Sequence, residues 1–132
     1  GMDDLRIAPL VGIVGCLAVL LALGAPYVLV EDAGGVGLYY GSGAVNPLLA
    51  GLFAMITLIA LAAGREGRSD PAMAAGVALV LGAAITAIAV AWALTVRVDV
   101  IAIDTTHRWV VAGVSVLVPA GSAWFARALG LV

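Results

Sequence analysis

The chain has no lysine, one cysteine, one histidine and little charge of either sign: eight acidic residues and six arginines among 132. Each scarcity excludes something. A soluble domain carries about a quarter charged residues, whereas here the share is 11%, so the surrounding medium is expected to be a bilayer. The lone Cys16 rules out an intrachain disulfide, a CxxC redox pair and a thiolate metal cage, and reads as a small helix-packing residue. Six scattered arginines make no basic patch, which excludes nucleic acid as a partner. The apolar runs contain no carboxylate, and proton-coupled transport depends on such a group within the membrane. Arginine without lysine, together with abundant Ala, Val and Gly, points to a GC-rich genome and a halophilic source.

What is present is apolar residue in four long runs; 64% of the chain is hydrophobic and mean hydropathy is +1.22. At this length one integral membrane domain is expected, residues 1–132, and a helix crossing about 30 Å of hydrocarbon needs about 20 apolar residues. The spans are placed at about 7–30, 47–64, 72–96 and 109–129, with outer loops at 31–46 and 97–108. Ala22-Leu23-Gly24-Ala25 offers small residues for signal cleavage, but the acidic lead and the length of the run favour a retained helix. Asn46-Pro47 and Asp70-Pro71 each combine an N-cap with a proline whose missing N–H costs nothing there. Gly64 to Asp70 is a short charged turn, so the second and third spans must be antiparallel neighbours. Pro119 falls mid-span, where it should kink the fourth helix and free a carbonyl.

The stretch Pro26 to Pro47 holds all three tyrosines and no basic residue. Tyr27–Glu31 and Val36–Tyr40 read as strands around a turn at Asp32-Ala33-Gly34-Gly35, and the period-two run Thr95–Ile103 reads as a third strand. The fold class is therefore an all-α membrane protein, a four-transmembrane-helix antiparallel bundle, with a small extracellular antiparallel β-sheet from its two outer loops. Arginine placement sets the orientation. Arg6, Arg65, Arg68 and Arg127 lie on one side and only Arg97 and Arg108 on the other, which places both termini in the cytoplasm of a plasma-membrane protein. Tyr27, Tyr39, Tyr40, Trp92 and Trp109 then mark the outer interface, and Trp124 and Phe125 the inner.

Close approach through small residues must hold such a bundle together. The first span offers Gly12 and Cys16, and the third offers Ala74, Ala78 and Gly82; these two helices are expected to form the tight seams, within the bundle rather than between copies. Arg127 should snorkel from the last turn. His107 reads as a solvated loop residue; a metal or proton-transfer role would require Asp99 and Asp104 beside it. Ser42 has no base partner and lies outside a nucleophile elbow. No nucleophile–base pair or ligand cluster assembles, so neither an enzyme nor a bound cofactor is expected. The expected interaction surface is Tyr27, Leu38, Tyr39, Tyr40, Arg97 and Asp99 on the outer sheet.

Four spans with strand-bearing outer loops, Pro26-Tyr27-Val28 leaving the first helix and Gly37-Leu38-Tyr39 following it, resemble the claudin-like four-helix proteins. That family has Trp where Tyr stands here, and two cysteines that this chain lacks. The resemblance implies a structural or adhesive role. Gly43-Ala44-Val45-Asn46-Pro47 is similar to the Val-Asn helix motif of the small four-helix fluoride channels, whose Phe-rich third-helix motif is missing; Asn46 is accounted for as a cap. The whole also resembles uncharacterised small membrane proteins of haloarchaea. The sequence thus predicts a non-enzymatic membrane protein that meets lipid, and a protein partner or a second copy, through its outer loops. A small channel or solute transporter is the alternative.

Overall fold

The computed structural model describes residues 2–29, 33–96 and 106–132. Six helices follow in order: α1 (Met2–Leu29), α2 (Ala33–Gly41), α3 (Leu48–Arg65), α4 (Pro71–Thr95), α5 (Thr106–Ser115) and α6 (Leu117–Ala128). Four stretches are long and apolar enough to cross a membrane: Asp3–Val28, Leu48–Arg65, Pro71–Thr95 and Thr106–Ala128. The last comprises α5 and α6 together. The four spans form a helical bundle in which each packs against its neighbours in sequence and the first closes on the last. Large apolar side chains cover its exterior, among them Leu21, Ile59, Val80 and Leu94, each about two-thirds or more exposed. A surface of that kind suits hydrocarbon rather than water. The architecture is that of an integral membrane protein.

Local chemistry sets where the helices begin and end. Asp70 accepts a hydrogen bond from the Ala72 N–H at 3.1 Å, and Pro71 opens α4. Asn46 Oδ1 accepts from the Leu48 N–H at 2.9 Å and so caps α3. Asp3 and Asp4 lie in the first turn of α1, where negative charge offsets the exposed N–H groups. Two helices stop at a glycine in the left-handed region, Gly67 (φ 75°) after α3 and Gly130 (φ 79°) after α6. In both, the next N–H reaches back five residues, Arg68 to the Ala63 carbonyl and Leu131 to that of Ala126. This is the Schellman closure that glycine makes without steric cost.

The expected hairpin is not present. Residues Ala33–Gly41 form a helix, α1 continues through Tyr27 to Leu29, and no strand occurs among the described residues. The tertiary environment decides this. Val36, Tyr39 and Tyr40, spaced i, i+3 and i+4, are all buried, and that spacing turns one face of a helix to the bundle. The third expected strand, Thr95–Ile103, begins inside α4; its residues from Arg97 onward lie outside the described residues.

The fourth span supplies the tight seams. Gly15 of α1 faces Leu117 and Val118 of the fourth span, Gly12 faces Leu61 of α3, and a Cβ placed on Gly121 of α6 would stand 2.5 Å from the Gly12 nitrogen. On the other side, a Cβ on Gly82 of α4 would come within 2.9 Å of the Pro119 nitrogen. The first and third spans therefore both approach α6 closely, and neither packs closely on the other. Ala74 packs against Gly64 of α3, while Cys16 and Ala78 are buried. A Gly121→Ala substitution should destabilise the bundle by about 1–3 kcal/mol, because backbone would have to yield. Gly76→Ala, which meets open space, should be neutral or slightly stabilising; thermal unfolding in detergent separates the two outcomes.

Candidate functional site

Five prolines punctuate the chain. Two stand at helix starts, and the other three lie inside spans. A proline within a helix removes the N–H owed to the carbonyl four residues earlier and forces that turn open. In hydrocarbon the exposed carbonyl needs another donor. Pro26 deprives the Ala22 carbonyl, and His107 Nε2 of α5 lies 2.7 Å from that oxygen. The neighbouring Leu23 carbonyl, on the same opened turn, accepts from the Tyr40 hydroxyl of α2. Pro119 deprives the Ser115 carbonyl, which takes a hydrogen bond from Thr86 Oγ1 of α4 at 3.1 Å. Near Pro9, the Arg6 carbonyl accepts from Arg65 Nε of α3 at 2.9 Å. The carbonyls freed by Pro26 and Pro119 are thus each matched by a side chain from a different helix.

Around Pro119 the helix itself also adjusts. The Val116 N–H bonds to Gly113 rather than to Ala112, and the span breaks there into α5 and α6. The Ala112 carbonyl left over accepts from Ser115 Oγ at 2.6 Å.

The densest arrangement lies at the α2 end of the bundle. The rings of Tyr39, Tyr40, Trp92 and His107 stand 5.3–6.3 Å apart, centroid to centroid. Tyr27 touches this group through Tyr40 at 5.9 Å. A backbone carbonyl only accepts, so His107 Nε2 carries the proton toward Ala22. Its Nδ1 then accepts from the Tyr39 hydroxyl at 2.9 Å. One imidazole therefore ties α1, α2 and α5 together. The loop after α2 is fastened by Thr95 Oγ1, which accepts from the Ala44 N–H at 2.8 Å and donates to the Ala91 carbonyl. Trp92 Nε1 is buried with no acceptor. Burial pushes the Tyr39 phenol up to about 12, with Arg108 opposing the shift. Tyr40 is pushed higher still, by burial first and then by the two neighbouring phenols.

These positions revise the sequence reading. Tyr39 and Tyr40 are fully buried, so they offer no exposed recognition surface; Tyr27 is 42% exposed. Leu38 lies on α2, and Arg97 and Asp99 lie outside the described residues. Trp92, expected at the lipid interface, is wholly buried, whereas Trp109 is 47% exposed. His107 is no solvated loop residue, since both ring nitrogens are engaged. Among the described residues no group of three His, Cys, Asp or Glu side chains could hold a metal. Thr57, Ser115 and Ser122 are buried, and each returns its hydroxyl proton to its own helix.

The proline–histidine pairing predicts an energetic coupling. His107→Leu should cost about 1–2 kcal/mol, because it leaves the Ala22 carbonyl without a donor. In a Pro26→Ala background the new N–H serves that carbonyl, and the same His107→Leu change should cost about 1 kcal/mol less. Additive costs in a double-mutant cycle would refute the coupling. The buried phenols predict a second effect. With folded pKa values raised above the ordinary value of 10.0, the folded chain keeps protons that the unfolded chain loses. Stability from these groups is intact below about pH 10 and falls as pH rises toward about 12. Phenolate absorbance followed alongside helicity should show Tyr39 and Tyr40 ionising only as the α2 end comes apart.

No curated protein and no solved structure matches this chain. A family model does match it, over residues 2–130, described as a family of unknown function (DUF7548), and the chain belongs to that family.

Proposed function

We propose that this protein is a non-catalytic integral membrane protein with a structural or adhesive role, meeting a protein partner or a second copy at the α2 end of its bundle. The observation that carries the reading is how the polar side chains inside the bundle are used. His107 commits both ring nitrogens to protein groups, and Thr57, Ser115 and Ser122 bond their own helices. No proton or lone pair of that histidine is left for a substrate, and each of these hydroxyls spends its proton within its own helix. The chemistry is directed at holding a shape.

The surface for a partner is then the exposed aromatic pair at that end, Tyr27 and Trp109, on a platform braced by α2 from beneath. This replaces the tyrosine-bearing sheet as the recognition element. The distribution of arginines supports placing both termini in the cytoplasm of a plasma membrane, with the α2 end outside.

The test is cross-linking in native membranes. Tyr27→Ala combined with Trp109→Ala should remove a specific cross-linked species while leaving the helical content unchanged. Unaltered cross-links, together with solute flux into liposomes above that of empty vesicles, would instead favour the channel reading.

A further inference from the structure

Arg108 holds a charge that the described protein does not answer. Its Nε is buried without an acceptor, and it forms no ion pair among the described residues. Its guanidinium carbon lies 5.4 Å from the centre of the Trp109 ring, so the planar group is held in place by stacking. The position is specific: Arg108 is the third residue of α5, where the fourth membrane-crossing stretch begins. A half-exposed tryptophan at the start of a span belongs at headgroup level. An oriented guanidinium is the group that binds a phosphate through two parallel hydrogen bonds.

We propose that Arg108, braced by Trp109, binds a phosphate group at the membrane boundary. The shared chemistry is a phosphate oxygen pair accepting from the guanidinium, and two sources supply it: the headgroup of an anionic lipid, or free inorganic phosphate. The headgroup lies at the depth where the stacking holds the guanidinium. This site does not depend on the adhesive reading above, since lipid binding and partner binding are measured separately.

The test uses the full chain in vesicles of phosphatidylcholine mixed with phosphatidylglycerol, followed by native mass spectrometry to count retained phosphatidylglycerol. Wild-type protein should retain it, and Arg108→Gln should lower retention about tenfold, the loss of one charge-assisted contact. Arg68→Gln, at an arginine already paired with Glu66 at 3.0 Å, should change nothing. Arg108→Lys keeps the charge without the fork and should fall between the two, which provides a readout even if Arg108→Gln folds poorly. In a second arm, inorganic phosphate is added to detergent-solubilised protein. A thermal shift that is present in wild type and lost in Arg108→Gln assigns the site to free phosphate instead. Equal lipid retention by all variants with no phosphate-dependent shift overturns the proposal.

Discussion

A backbone carbonyl in hydrocarbon has no water to fall back on, and the rest of this fold is arranged around that constraint. Pro26 and Pro119 each open a turn inside a span, and each opened turn is closed from another helix: His107 and Tyr40 at Ala22 and Leu23, Thr86 at Ser115; near Pro9, Arg65 ties α3 to the Arg6 carbonyl. A proline that weakens its own helix thereby becomes a point of attachment between helices. α1 is bound in this way to α2, α3 and α5, and α4 to the break between α5 and α6. Without hydrophobic attraction to drive helices together in lipid, these directed bonds fix rotation and depth, which apolar contact alone leaves loose.

Close packing works at the same places. Gly82 makes room for the Pro119 ring nitrogen, and Gly121 lets α6 rest against the backbone at Gly12. A kinked helix needs space on one side and a donor on the other, and the fourth span receives both from its neighbours. The first and third spans both pack against it. The α2 end is built differently, from aromatic rings rather than glycine. Four rings and one imidazole fill the space between four helices, with Tyr40 touching all the others and Trp92 facing neither lipid nor water.

The spans were legible in the sequence because each is an unbroken apolar run, and Asn46-Pro47 and Asp70-Pro71 marked two of their starts through chemistry confined to four residues. The α2 end departs from its local sequence pattern for a physical reason. Glycine, valine and tyrosine between turn-forming residues favour a strand locally, and only burial against α1, α4 and α5 selects the helix. The signal present was the 36/39/40 spacing, which suits a helical face better than a pleat. The role of His107 had no local sign, since its partners Ala22 and Tyr39 lie 85 and 68 residues away. A sequence-level route did exist. Pro26 lies where the apolar run has not yet ended, so a carbonyl four residues before it needed a donor, and the chain has few polar side chains to supply one. Tryptophan prefers an interface, yet at Trp92 packing among three other rings outweighs that preference.

The separation between Ala22 and His107 also bears on how the molecule is made. A ribosome releases α1 well before the residue that completes it, so for most of synthesis the first span resides in the bilayer with an open turn. The second and third spans cannot close it, because the donor arrives with the last. Insertion of the fourth span is therefore the step that makes the first one whole, and it brings Ser115 to Thr86 at the same time. The chain reaches its final state by completing its beginning at its end.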